Sequence, residues 1–537
     1  MTSIPQLGKR DMILCVLFLF VQHAGFIKGN ESTVRPLIEY TVSMVNPSDH
    51  LFHVTLSCGN LDMDTVDFRM PQWMPGYYQI MEYSDNVSNF SAGGGKEMKV
   101  KVFKTGKNSW RVVQGKRGSL KISYDVAAKR NFVASNFLDT THAYIVPAAT
   151  FMFINRHTDI PVRIKIIPFI GWNDIATGLD KISGTINEFT APDFDILYDC
   201  PILIGNLEQL PSFDVNGISH YFKAYKPGTF NRDLLISGLQ KSVKEALSMM
   251  GDVPYSEFTF IGIGPGYGGI EHLNNTTVSF DGKGLDKPGA MLGMLKYLVH
   301  EYFHNFNVKR IRPYELGPFD YNRENRTNLL WVSEGLTVYY EYILVKRAGL
   351  MTDEELLSCF DDNINTVEND PGREYQSLIQ SSYETWDDGP FGNKPGSQDK
   401  SISYYEKGPI VGLILDFEIR KVTENRKSLD DVMRYLYRHY YKESGRGFTD
   451  AEFQQACEKV AGKSLSSEFE YVNTTKEIDY ATYLSYAGLK LTEGIDSKSA
   501  KKKFIIARQD NLNQSQMSLF NSWSGKLKPK EQDQLNQ

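Results

Sequence analysis

Along the first third of the chain, apolar and polar residues alternate. Leu120, Ile122, Tyr124 and Val126 are separated by polar neighbours, and so are Val162, Ile164 and Ile166. A period of two puts one face of a strand in a core and the other in water. Turn clusters such as Asn46-Pro47-Ser48-Asp49 and Gly93-Gly94-Gly95 separate the runs. Many short strands at this spacing predict an N-terminal β-sandwich domain over residues 30–205.

The period then changes. Between Phe230 and Met250, residues Leu234, Leu235, Leu239, Val243 and Leu247 recur at helical spacing. The same pattern predicts helices over 290–308, 332–349, 353–365, 408–423 and 428–442. A further helix opens with a capping box, Thr449 to Glu452, in which each side chain satisfies the other's free amide. Residues 366–403 are rich in Gly, Pro, Asp, Asn and Ser and read as a long loop, either disordered or functional, with a cover over the cleft as one hypothesis. A second, α+β domain with a helical C-terminal part is expected over 206–490. Residues 491–537 read as a polar, Lys/Gln-rich tail.

Length and composition add limits. A chain of 537 residues exceeds one ordinary core. With 41% hydrophobic and 23% charged residues it has the composition of a soluble globular protein. Its net charge of −6 argues against nucleic acid as partner. Lys9 and Arg10 precede an apolar run from Met12 to Val21, and Ala24, Gly25 and Gly29 follow. This is the layout of a signal peptide over 1–29, so an exported protein is expected: periplasmic, secreted or on the outer surface. An uncleaved N-terminal anchor is the alternative reading of that run. No later segment is long and apolar enough to span a membrane. Cys58, Cys200, Cys359 and Cys457 form no CxxC pair and read as buried thiols.

The candidate chemistry lies in the second half. His300-Glu301-Tyr302-Phe303-His304 is an HExxH motif. On a helix, His300 and His304 stand one turn apart on one face, so both imidazoles can reach one ion. Glu301 lies beside them, able to accept a proton from water. An amphipathic helix with two incidental histidines is the bland alternative. Glu334, thirty residues after His304 in Trp331-Val332-Ser333-Glu334-Gly335, completes a His₂Glu set for one Zn²⁺ ion. Glu341 reads as supporting that set or facing solvent. Upstream, Gly268 and Gly269 would let an extended peptide approach a sheet edge, and Glu271 would offer a carboxylate to its free amine. Taken alone, that stretch reads first as a plain glycine turn with a surface Glu, and only the neighbouring metal-site candidates reverse this. Tyr405, in Tyr404-Tyr405-Glu406-Lys407-Gly408, is a candidate oxyanion donor, although spacing alone does not separate it from a core tyrosine.

Together these motifs resemble the glycyl-aminopeptidase family of gluzincin metallopeptidases, family 61. The resemblance rests on HEYFHNFNVKRIRP (His300 to Pro313, with its basic tail Lys309-Arg310-Ile311-Arg312), GGIEH (Gly268 to His272) and MPQWMPGYY (Met70 to Tyr78), and covers roughly residues 35–490. It implies a thermolysin-like catalytic domain and zinc ligands His300, His304 and Glu334. It makes Glu301 the general base and acid, Tyr405 the oxyanion donor, and Glu271 the anchor for a substrate amine beside Gly268 and Gly269. The implied activity is a zinc aminopeptidase removing N-terminal Gly or Ala from peptides. An endopeptidase of the same clan and a non-catalytic peptide- or surface-binding protein are the alternatives. Family members commonly end in a PDZ domain, and the 58 residues after position 479 are fewer than one usually needs, so a missing or truncated PDZ is expected.

Overall fold

The computed structural model describes residues 37–61, 63–94, 100–114, 118–391 and 399–526. The signal-peptide reading of 1–29 falls outside the described residues. So does the end of the chain after 526.

The alternating pattern becomes three sheets. Strand Leu37–Ser43 pairs antiparallel with Leu51–Leu61 and parallel with Val162–Ile167, in the middle of a seven-stranded sheet. Strand Gly118–Ala127 buries Leu120, Ile122, Tyr124 and Val126 as the period of two demands. Sheets of four and five strands complete this β-rich part, and their inward residues form one apolar core. The Gly93–Gly95 turn expected from sequence is instead strand as far as Gly94.

A further sheet begins the catalytic part. Its order runs Glu208–Gln209, Ile218–Ala224, Glu257–Gly262, Asn275–Val278, and last the edge strand Gly269–Glu271. That edge strand is antiparallel to its neighbour, with Glu271 opposite Thr276. Helices follow in the predicted order: Arg232–Met250, Ala290–Phe303, Leu336–Arg347, Asp353–Glu368, Tyr404–Val422 and Leu429–Leu436. The capping box at Thr449 and Glu452 is formed as read.

Two longer segments also differ from the sequence reading. The expected loop 366–403 contains the helix Leu378–Asp388, started by a capping box between Ser377 and Gln380. Its polar composition hid an amphipathic stripe: Leu378, Ser382, Thr385 and Trp386 face inward. The expected polar tail after 490 holds most of a hairpin, Leu489–Ile495 with Lys502–Arg508, and a helix, Gln514–Trp523. Trp523 is fully buried against Phe417, Phe360 and Phe520, and its indole N–H donates to the Tyr339 hydroxyl. In Lys502–Arg508 Phe504 and Ile506 are buried while the adjacent Ile505 faces solvent, so the apolar run masked the period of two.

The β-rich and catalytic parts exchange anchors. Ile261, Ile263 and Ile270 of the catalytic sheet lie in the first core, whereas Trp73 and Tyr78 of the β-rich part lie in the second. Trp73 donates its indole N–H to the Asp320 carbonyl at 3.0 Å and packs edge-on against Trp386. All four cysteines described are buried and unpaired.

Candidate active site

Helix Ala290–Phe303 carries the HExxH residues on its buried face, with His304 as its last, capping residue. The expected helix to 308 stops early because the chain turns: Asn307 and Ile311 form a bridge, and Val308 takes a φ of 143°. Positive φ is costly for a β-branched side chain, and such strain collects at functional sites.

Asn307 does much of the local construction. Its amide N–H₂ donates to the carbonyls of Val332 (2.7 Å) and Ser333 (3.1 Å) and to the Thr337 hydroxyl. Its own carbonyl accepts from His304 Nδ1 at 2.7 Å. One residue thus ties the HExxH helix to the turn that presents Glu334. That turn, Trp331–Gly335, is a π-helical segment, a wider coil common at functional sites. It sits against the start of helix Tyr404–Val422 because both sides are glycine. A Cβ on Gly335 would lie 2.7 Å from the Cα of Gly408.

These supports bring three donor atoms together. His300 Nε2 and His304 Nε2 are 3.1 Å apart, and Glu334 Oε2 lies 3.2 Å from the latter and 3.7 Å from the former. Ligands sharing one tetrahedral zinc at 2.0–2.1 Å are about 3.3 Å apart. The second nitrogens agree with this. His300 Nδ1 faces Glu341 at 3.0 Å and His304 Nδ1 faces the Asn307 carbonyl, so each Nδ1 is the donor and each Nε2 presents a lone pair. Two lone pairs and a carboxylate oxygen converging in a buried site form a donor set that fits a cation. The surrounding carboxylates also favour positive charge here. Burial lowers the His300 pKa, but the hydrogen bonds to Glu334 and Glu341 outweigh it and raise it well above the ordinary value. The residues present therefore fit a metal ion. Glu341, left open between two roles by the sequence, holds His300.

Glu301 is buried beside the cluster, with one carboxylate oxygen unpartnered among the described residues. Burial raises its pKa to about 7, against the opposing pull of His300 and His304. It packs on the edge strand so closely that only glycine fits at 269: a Cβ there would run into the Glu301 carboxylate and lie 2.8 Å from the Tyr297 hydroxyl. Gly268 has a φ of +90°, which lets the chain enter that strand. Glu271, at its end, is 3% exposed, and its Oε1 has no hydrogen-bond partner among the described residues.

Tyr405 lies at the first turn of its helix, where its backbone N–H is capped by Ser403, and its ring is 6.2 Å from that of His300. Burial holds its hydroxyl protonated, and the carboxylates of Glu334 and Glu271 add to that. All eight site residues read from sequence therefore share one region. The sequence reading missed others. Tyr78 is buried, and burial together with Glu271 and Glu334 raises its pKa. Gly76, at φ +89°, abuts Glu271: a Cβ there would lie 2.8 Å from Oε2. Asn307 was visible in HNFN, but nothing in its spacing named its partners.

An HExxH helix, a carboxylate from a following helix and a sheet edge alongside define a peptidase with a gluzincin-type catalytic fold. Residues 39–206 match the Peptidase M61 N-terminal domain and residues 293–411 match M61 glycyl aminopeptidase. Together these span more than half of the chain, which belongs to the M61 glycyl aminopeptidase family. Solved structures share the fold. An aminopeptidase N family protein from Idiomarina loihiensis has a TM-score of 0.81 at 24% identity, over 86% of this chain and 80% of that one. An M1 zinc metallopeptidase from Deinococcus radiodurans, a glutamate-to-alanine mutant bound to a Tyr-Ser-Ala substrate, has a TM-score of 0.50 at 11% identity, over 83% and 94%. Native yeast LTA4 hydrolase has a TM-score of 0.50 at 12% identity, over 84% and 70%. No curated protein matches the chain in sequence.

Proposed function

We propose that this peptidase is a zinc-dependent aminopeptidase that removes small N-terminal residues, Gly or Ala, from peptides. The observation that carries it is the convergence of His300 Nε2, His304 Nε2 and Glu334 Oε2, next to a buried carboxylate, Glu271, at the sheet edge. His300, His304 and Glu334 would hold one ion. When bound, zinc supplies a Lewis acid for the scissile carbonyl and a nucleophile at neutral pH.

The chain's own residues do the rest. Strand Gly269–Glu271 has a free edge on which extended substrate can pair. Glu271 receives the substrate's ammonium group, which sets the scissile bond one residue from the N-terminus. Glu301 accepts a proton from the attacking water and returns it to the leaving amine nitrogen. Tyr405, held protonated, donates its hydroxyl hydrogen to the oxyanion. The Gly/Ala preference is supported by the glycyl aminopeptidase description of the matched family. We also propose that the protein is exported, on the basis of the apolar run at Met12–Val21.

The test is a panel of Gly, Ala and Leu p-nitroanilides, with free and acetylated amines, assayed alongside metal analysis. The expected result is one zinc per chain, preference for Gly and Ala, and no cleavage of acetylated substrates. Glu301→Gln should retain zinc and lose about 10²- to 10⁴-fold in kcat. Equal cleavage of blocked peptides would favour an endopeptidase, and full activity of the Glu301→Gln protein would overturn the mechanism. N-terminal sequencing of exported protein tests the signal.

A further inference from the structure

The basic tail of the zinc-helix motif is not used by the chemistry above, yet its first residue is buried in the site. Lys309 follows the strained Val308, and its Nζ lies 2.9 Å from Asp199 Oδ1 and 3.6 Å from Glu271 Oε1. Side-chain exposure is 8% for Lys309, 8% for Asp199 and 4% for Glu271. Asp199 belongs to the β-rich part, at the end of the short helix Phe194–Tyr198. Its carboxylate is fully engaged: Oδ1 takes Lys309 and His272 Nδ1 (3.2 Å), and Oδ2 accepts the Leu273 backbone N–H at 2.7 Å.

The partition of Lys309 between two carboxylates is unequal. At 2.9 Å it is hydrogen-bonded to Asp199, and at 3.6 Å it is beyond hydrogen-bond reach of Glu271. Glu271 Oε1 is left without a hydrogen-bond partner among the described residues, although buried. A buried carboxylate oxygen that faces an ammonium at 3.6 Å but accepts no hydrogen bond is under-satisfied, so it can take a further donor. Asp199, Glu271 and Lys309, two carboxylates and one ammonium, together carry a net charge of −1. One protonated substrate amine balances it.

We propose that Asp199 and Lys309 are positioning residues for amine recognition: Asp199 engages Lys309 so that Glu271 keeps an uncompensated carboxylate for the substrate's N-terminal ammonium. The inference rests on the reading of Glu271 as amine anchor. Without Asp199, Lys309 has only Glu271 to pair with, and the two close into a neutral ion pair that competes with substrate. Lys309 alone would therefore be an inhibitor of its own site, and the β-rich part supplies the counter-charge that prevents this.

The experiment measures kcat and KM on Gly p-nitroanilide, with zinc content and far-UV circular dichroism as controls. Asp199→Asn should raise KM about 10- to 100-fold, the loss expected for a charged hydrogen bond, with kcat within about threefold. Adding Lys309→Met to that variant should bring KM back to within about threefold of wild type. A purely structural role for Asp199 would not be rescued by removing a second buried group. The double variant restores the net charge of −1 with Glu271 as its one carboxylate, so its KM reports on the amine site even if the single variant fails to fold. An unchanged KM in Asp199→Asn, or a double variant as impaired as the single, overturns the inference. Glu271→Gln separates the two readings. If it leaves KM unchanged, the amine-anchor reading itself fails. If it raises KM while Asp199→Asn does not, only the present inference falls.

Discussion

Gly335 and Gly408 meet backbone to backbone: a Cβ on Gly408 would lie 2.6 Å from the Cα of Gly335. This contact seats the turn bearing Glu334 on the helix bearing Tyr405. Gly408→Ala must push the two apart. Overpacking of this kind typically costs about 1–3 kcal/mol. The expected outcome is a lower midpoint in urea and weaker zinc retention on dialysis, and unchanged zinc retention would contradict the coupling.

Asn307 holds the Glu334 turn through three donated hydrogen bonds while its carbonyl orients His304. Asn307→Ala keeps the carbonyl and removes the donors. Supporting groups of this kind are worth about 10- to 100-fold in metal affinity. Competition with a chromophoric chelator should show a loss of that size, and a dissociation constant equal to wild type would rule the role out.

Gly76 faces Glu271 from the β-rich part. Gly76→Ala would place a methyl 2.8 Å from Oε2 in a backbone conformation at φ +89° that disfavours alanine. The expected result is a KM for aminoacyl substrates raised about tenfold or more, with little change in zinc content. If KM is unchanged while Glu271→Gln raises it, Gly76 does not bound the amine site.

His220 and His142 make the fold acid-sensitive. Burial pushes each imidazole down to about 4, against opposing contributions from Ile218 and Asp214 at His220 and from Asp139 at His142. The unfolded chain titrates near 6.5, so between pH 6.5 and 4 it binds more protons than the folded chain. Stability from these groups is complete above pH 6.5 and is lost as pH falls to 4, about 3 kcal/mol for each. His220→Gln, which can still hydrogen-bond Tyr255, should flatten the fall in Tm between pH 7.5 and 4.5. Parallel Tm profiles for variant and wild type would count against it.

Trp523 ties the C-terminal helix to the helices that carry the site. Its indole donates to the Tyr339 hydroxyl, which in turn donates to Asp416 at 2.6 Å. Trp523→Ala should cost about 3–5 kcal/mol in urea unfolding. A loss under about 1 kcal/mol would return residues 489–526 to the status of a tail.

Periodicity made the architecture legible. A period of two through Leu120–Val126 and a period of 3.6 through Leu234–Leu247 are local consequences of which face a backbone buries. His300, Glu301 and His304 were legible because one helix turn sets their spacing. Helix Leu378–Asp388 and the hairpin after Leu489 were not. Their apolar residues are few and are buried by partners distant in sequence, such as Trp73 for Trp386.

By itself, then, the sequence determined the order of the strongly periodic elements and singled out His300, Glu301, His304 and Glu334 as candidates for one site, because residue type and short spacing carry those through local geometry. Only the tertiary structure decided that Glu341 holds His300, that Gly76 bounds Glu271, and that Asp199 engages Lys309. Asp199 and Lys309 stand 110 residues apart in the chain and 2.9 Å apart in space. Such partnerships arise from the docking of the β-rich part on the catalytic part, and no periodicity encodes them.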